Sequence, residues 1–256
     1  MNSLNEVTRM QTARHTPEEL DAIRKFTVPT LANAIETFGV IPSNEGFCDS
    51  RLQCHYPHLP LMVGYAVTAR VSTDQPPSEV RPGIVEPEYW RWIAAQPGPK
   101  VAVVQDIDNP PRGAMWGEWN ANVHKALGCV GMVTEGAARD LDGVRKLNFH
   151  FFSTHVLPTH GYGAFIDYGG SVRVAGLVVK PGDLLVGDMH GVLLIPPEIS
   201  LLELAEVAQK IDDLESEIFA LCQSPDFSVE KLAELDRSVA ERWPKPTGKE
   251  RILRTA

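Results

Sequence analysis

The sequence predicts a mixed α/β fold whose sheet forms in the middle of the chain, with helices closing both ends. Three observations predict it. Between residues 64 and 153, short apolar β-branched segments alternate with segments of helical period. A strand-rich stretch then runs to about residue 196. From Pro197 on, Leu201, Leu204, Ala208, Ile211, Leu214, Ile218 and Leu221 recur at three or four residues, the spacing of one helix face. No internal repeat or low-complexity linker interrupts the chain, so one domain over 1–256 is expected.

The elements follow in order. Thr16-Pro17-Glu18-Glu19 is a helix start: Thr16 caps, Pro17 suits the first position, and the acids favour the positive end, for a helix over 18–26. Thr30 is expected to cap a second helix that runs to Phe38 and stops at Gly39. Residues 40–61 hold turn formers without a period and read as a covering loop. The β-branched run 64–71 is a strand. Pro76, Pro77, Pro82 and Pro87 make 73–88 irregular. A helix over 89–95 would bury Trp90, Ile93 and Ala94. A strand at 101–104, a polar loop at 106–117 and a helix at 118–127 stopped by Gly128 come next. A strand at 130–133 and a short helix at 142–146 follow, then strands at 149–153, 171–179, 184–187 and 192–196. Helices at 201–221 and 228–242, the latter capped by Ser228, end the pattern.

Composition narrows the function classes. The chain has 256 residues and a formal net charge of −9, and an acidic surface repels phosphate backbones, so nucleic acid is not an expected partner. No run of about 18 apolar residues exists, so no membrane span is expected. The first twenty residues lack the apolar core of a signal peptide. The four cysteines form no C-x-x-C pair and read as reduced, mostly buried thiols. The expected setting is therefore cytoplasmic.

The stretch from Trp116-Gly117-Glu118 to Arg139-Asp140 carries the chemistry. If the strands at 101–104 and 130–133 are parallel neighbours, both exits lie at the sheet edge where α/β proteins bind ligands. The helix starting at Glu118 offers free backbone N–H groups there, at Gly117, Trp119 and Asn120. Arg139 is a planar fork suited to a carboxylate, and Asp140 is a hard oxygen donor suited to Mg²⁺ or Mn²⁺. Glu118 would hold waters around that metal. A 2-oxo acid presents a carboxylate and a carbonyl oxygen together and so suits such a site. Taken alone, an Arg-Asp pair after a glycine turn also describes a solvated loop. Arg112, in the loop before Glu118, and His160, after a later strand, are candidates for a second acid group, with His155 and Tyr162 beside His160. No lysine is placed for Schiff-base chemistry.

Several stretches, in order, resemble the RraA-like family, which includes 4-hydroxy-4-methyl-2-oxoglutarate aldolases and regulators of ribonuclease E activity. They are Pro29–Ala34, Val63–Thr68, Trp116-Gly117-Glu118, Gly128–Val133, Gly136-Ala137-Ala138-Arg139-Asp140, Pro181-Gly182-Asp183 and Gly191–Pro196. They span a core of about 27–200, with C-terminal helices over about 197–243. The resemblance implies an αββα sandwich of the swivelling phosphohistidine-domain type with additional terminal helices. It implies trimers or hexamers with the site between subunits. It also implies that Asp140 ligates Mg²⁺ (or Mn²⁺), that Glu118 positions its waters, that Arg139 contacts the substrate, and that amides over 117–120 grip a pyruvate carboxylate. The implied activity is metal-dependent cleavage of a 4-hydroxy-2-oxo acid, or decarboxylation of an oxaloacetate-like acid, to give pyruvate. A protein-binding regulator, or a hydratase or isomerase of a small acid, are the alternatives. This sequence departs from the aldolases at Glu118, where they carry Asp, and at Trp119-Asn120, where they carry small apolar residues.

Overall fold

The computed structural model describes residues 15–78 and 83–245. Helices α1 (Pro17–Ile23) and α2 (Val28–Glu36) come first. Thr16 caps α1 as expected, and Glu19 reaches back to the Thr16 amide, completing a reciprocal cap. α2 begins earlier than the sequence suggests. Thr27 is its cap, accepting from the Thr30 amide, and Pro29 sits in the first turn, where its missing N–H costs nothing.

The sheet strands are β1 (Gln53–Cys54), β2 (Met62–Ser72), β3 (Lys100–Asp106), β4 (Cys129–Ala138), β5 (His150–Val156), β6 (Ala164–Tyr168), β9 (Leu184–Asp188) and β10 (Gly191–Ile195). A separate hairpin joins β7 (Val172–Val174) to β8 (Leu177–Val179). The sheet order is β1-β5-β4-β3-β2-β9-β10. β2, β3, β4 and β5 are parallel to one another. The near half of β2 pairs antiparallel with β9 and its far half with β6, so one long strand carries two partners along the same side. Helices α3 (Glu86–Ala94), α4 (Glu118–Ala126) and α5 (Leu141–Arg145) connect the parallel strands. α6 (Leu201–Cys222) packs on α1 and α2, and α7 (Val229–Arg242) folds back on α6, with Arg242 donating two hydrogen bonds of 2.7 Å to Glu217.

Both faces of the central strands are covered, which explains their unbroken apolar runs. Val63, Tyr65, Val67, Ala102, Val104 and Met132 face the helices. Met62, Ala66, Val101, Val103 and Val133 face the hairpin β7–β8 and the loop around Cys48 and Leu52. The loop over residues 40–61 therefore does cover something: Cys48 N–H donates to Val192 O and Asp49 N–H to Ala175 O.

Three further expectations are corrected, and one strand is new. The stretch 171–179 is two strands, because Ala175 and Gly176 both adopt positive φ (43° and 81°) and turn the chain. β4 runs five residues past Val133, to Ala138, through a bulge between Thr134 and Ala137. α3 buries Tyr89, Trp92 and Ile93, the i, i+3, i+4 set, leaving Ala94 exposed. β6 was not anticipated. Among the cysteines, Cys48 and Cys129 are buried as expected, but Cys222 is exposed. Among the described residues, no helix is long and apolar enough to cross a membrane.

Candidate active site

β3 and β4 are parallel neighbours, so their exits open on the same edge of the sheet. β4 delivers Arg139 and Asp140 there directly. Trp116, just before α4, forms a parallel bridge with Ala138, and Arg139 N–H donates to Trp116 O at 2.8 Å. This bridge brings the amino end of α4 against the exit of β4.

The contact is close. Asp140 Oδ2 accepts from the Glu118 amide at 3.3 Å, placing a carboxylate on the positive end of α4. A side chain at Gly117 would collide with Asp140 Oδ2 and come within 2.9 Å of Arg139 Cγ. The contact is reciprocal: the Glu118 carboxylate lies against Gly143, in the first turn of α5, where a Cβ would also collide. Gly117 and Gly143 are thus the places where two helix starts interlock.

Asp140 holds left-handed backbone, φ 53° and ψ 38°, which costs a residue other than glycine roughly 1 kcal/mol or more. It is pinned from both sides. Arg139 is fixed by its bond to Trp116, and the amides of Gly143 and Val144 donate to Asp140 O at 3.0 and 3.1 Å. Arg139 Nε is shielded from solvent and has no hydrogen-bond partner among the described residues. Its nearest acid is Asp140 Oδ2 at 3.7 Å, too long for a hydrogen bond. A guanidinium with an unsatisfied buried donor beside an exposed carboxylate is an arrangement that a bound group could complete.

The other candidates fall in two places. Trp119, in the first turn of α4, is 72% exposed. The Asn120 side chain is turned away from the edge, donating from Nδ2 to Met115 O at 2.8 Å, so only its backbone amide faces the helix start. Trp116, by contrast, is buried and packs its ring 4.3 Å from that of His124. Burial drives the His124 pKa down to about 4, so it is a neutral core group.

Arg112 and His160 lie in the loops beside the exits of β2 and β3. Arg112 is exposed, with Nε 3.7 Å from Asp74. His160 is exposed and its Nδ1 pairs with Gly161 O at 2.7 Å. The two loops interlock: Ala114 N–H donates to Thr159 O, and any side chain at Gly113 would run into the His160 backbone. Tyr162 is exposed next to them, and His155 pairs with the Thr154 hydroxyl at 2.8 Å. Sequence reasoning missed Thr73, to which these loops are tied, and Gly143, against which Glu118 packs. A threonine after a strand and a glycine in a short helix carry no signal until the fold brings their partners.

Among the described residues, no three His, Cys, Asp or Glu side chains gather into a metal cage. The donor set present is one exposed carboxylate, Asp140, beside a helix start, with Glu118 across Gly143. Mg²⁺ keeps most of its water and is commonly held by one or two carboxylates, so these residues fit such an ion and do not fit a fully protein-ligated one. The only lysine on β3 or β4, Lys100, stands at the opposite edge.

Comparison with known proteins gives the same grouping. The family model described as "RraA-like: Aldolase/RraA" matches residues 28–194. A protein of Halalkalibacterium halodurans provisionally named 4-hydroxy-4-methyl-2-oxoglutarate aldolase is 32% identical over 127 residues, 46% of this chain and 57% of that protein. An uncharacterized protein of Methanocaldococcus jannaschii is 34% identical over 106 residues, 41% of this chain and 50% of that one. The matches thus span about half the length of these relatives. Among solved structures, an uncharacterized Pseudomonas syringae protein superposes with a TM-score of 0.67 at 20% identity, covering 93% of this chain and 99% of that one. Streptomyces coelicolor RraAS2, described as an unusual member of the RNase ES inhibitor RraA protein family, gives 0.62 at 21% identity over 81% and 97%. With more than half its length matched by the family model and its mixed α/β architecture shared with these structures, the chain belongs to the RraA-like family.

Proposed function

We propose that this chain is a divalent-metal-dependent lyase that cleaves a carbon–carbon bond of a 4-hydroxy-2-oxo acid, or decarboxylates an oxaloacetate-like acid, and releases pyruvate. The observation that carries the proposal is the meeting of Arg139 and Asp140 with the amino end of α4 at Gly117. Support comes also from relatives provisionally named as aldolases.

Each group has a task in that reaction. The first-turn amides at Trp119 and Asn120 are donors that no intrahelical carbonyl reaches, and they suit the substrate's carboxylate. Arg139, whose Nε lacks a partner among the described residues, suits the C2 oxygen and the negative charge that develops there. Asp140, with Glu118 behind it, would hold Mg²⁺ or Mn²⁺, whose chemistry is Lewis-acid polarisation of the 2-oxo acid. In the retro-aldol direction the C4 hydroxyl gives up its proton to solvent, the C4–O bond becomes the carbonyl of the departing product, and the C3–C4 bond breaks. Its electron pair moves into the C2–C3 enolate facing Arg139, and protonation at C3 completes pyruvate. Arg112 and His160 are proposed to meet the substrate's distal acid group. A trimer or hexamer is the proposed assembly.

The test is pyruvate release from 4-hydroxy-2-oxo diacids and oxaloacetate with Mg²⁺ or Mn²⁺, with and without EDTA, for the natural protein and for Arg139→Ala and Asp140→Ala. Metal-dependent release that drops by about a hundredfold or more in both variants is expected. No metal-dependent release from any such acid would overturn the proposal. A second proposal, a regulator that binds another protein, draws on the exposed Trp119 beside the same helix start. A stoichiometric partner bound without metal would favour it.

A further inference from the structure

Thr73, just past β2 and 1% exposed, is the point to which the loops around Arg112 are fastened. Its hydroxyl accepts from the Arg112 amide at 3.1 Å, and its carbonyl accepts from the Tyr162 amide at 2.9 Å. The same hydroxyl lies 3.3 Å from Asp106 Oδ2 and 3.4 Å from Asp108 Oδ2 and can donate to one of them. Asp108 is already occupied. It accepts from the amides of Thr73 and Asp74 and from the Ser72 hydroxyl. Asp106 has less. Its Oδ1 accepts from the Asp108 amide at 3.0 Å, and Thr73 is the partner available to Oδ2.

Asp106 is 5% exposed and ends β3 on the face of Ala102 and Val104. From β4 it is met by Gly136, where a Cβ would stand 3.1 Å from Oδ2, a tight contact that the carboxylate could meet only by giving way a few tenths of an ångström. The charged group in contact with it is Asp108 on its own loop; Asp74 after β2 bonds to Asp108, and Arg112, tied to Thr73, ion-pairs with Asp74 at 3.7 Å. Among the described residues no cation pairs with Asp106 itself. A buried carboxylate without a cation is costly to keep ionised.

We propose that Asp106 is a positioning residue for Arg112: as an acceptor it orients the Thr73 hydroxyl, whose oxygen then faces the Arg112 amide and holds that loop at the site edge. A hydroxyl that donates to an anion is also a better acceptor, so the two bonds reinforce one another. Burial first, and the nearby Asp108 charge in addition, push the Asp106 carboxyl up to about 6, so the orientation is in force above that pH and relaxes below it. The inference rests on Arg112 belonging to the proposed site, but its first test does not.

That test is amide hydrogen exchange at Arg112 and Tyr162 at pH 7.5 in the full chain, for the natural protein, Asp106→Asn, Thr73→Val and Thr73→Ser. The first two variants should exchange faster at Arg112 by about five- to thirtyfold, the effect of one lost hydrogen bond, and Thr73→Ser should stay near the natural protein. Unchanged exchange in folded Asp106→Asn overturns the proposal, as does unchanged exchange in Thr73→Val should the Asn variant fail to fold. The second arm is pyruvate release, where Asp106→Asn should raise KM several-fold and leave kcat. A fall in kcat at constant KM would place Asp106 in the chemistry and overturn a positioning role. If the natural protein releases no pyruvate, the lyase proposal fails and the exchange result still decides this one.

Discussion

The two ends of α4 are built on opposite plans. At its carboxyl end, Lys100 Nζ donates to Leu127 O at 2.7 Å, putting a cation on the negative pole, and Gly128 turns the chain at φ 87°. Cys129 beside it is buried and its thiol is pushed up to about 12 by burial, so it stays neutral. At its amino end the charges are also matched to the helix pole, yet little is finished. Asp140 sits at a long 3.3 Å from the Glu118 amide in left-handed backbone, and Arg139 Nε has no partner among the described residues. One helix has a closed end that serves stability and an open end that spends it, and functional sites are where such violations collect.

The sharpest way to break this comparison is to close the open end. Gly117 has φ −152°, an extended conformation any residue adopts, so Gly117→Ala carries no backbone strain. What the new methyl meets is Asp140 Oδ2 and Arg139 Cγ. Both side chains must move, and a displacement of about 1 Å at reacting groups can cost on the order of a hundredfold in rate. Pyruvate release should fall by that order while the melting temperature changes little. Release at the natural rate would show that Arg139 and Asp140 are not where the reaction happens.

The closed end predicts the reverse. Lys100→Met keeps the buried stem but leaves Leu127 O without its donor, in a position 6% exposed. A loss of about 1–3 kcal/mol is expected in urea unfolding, with catalysis per folded molecule unaltered. Loss of activity without loss of stability would mean that the two ends are not separate in function.

What the sequence discloses about these ends differs for a physical reason. Local devices were legible: the Thr16 cap, the stop at Gly128, and the strands around 101–104 and 130–133, whose parallel pairing entered the reading only as a condition. Each depends on neighbours within one turn or on apolar period. The Thr27 cap was misplaced to Thr30 because two threonines flank Pro29 and both fit an N-terminus. The hairpin at Ala175 was missed because alanine gives no sign of positive φ. Asp140 as a ligand candidate came from residue type and resemblance. Its strained backbone, the orphaned Arg139 Nε and the Thr73 tether each need two or three distant segments to meet, and no spacing rule announces that.

The last effect concerns the cost of keeping Asp106 ionised. Its folded pKa is raised, to about 6 from an ordinary value of 3.8, so its contribution is fully present below the unfolded value and is lost as pH rises through 6. The natural protein should therefore lose stability relative to Asp106→Asn between pH 4 and pH 8, by about 1–3 kcal/mol over that interval. The difference between the two pH values is the quantity to measure, because any constant gain or loss from the amide cancels in it. A structural carboxylate satisfied by its surroundings would give the opposite slope, with the natural protein gaining on the variant as pH rises. If urea midpoints show that opposite slope, or none, Asp106 carries no burden of ionisation. The open edge would then begin at Arg139 rather than one strand earlier, at the end of β3.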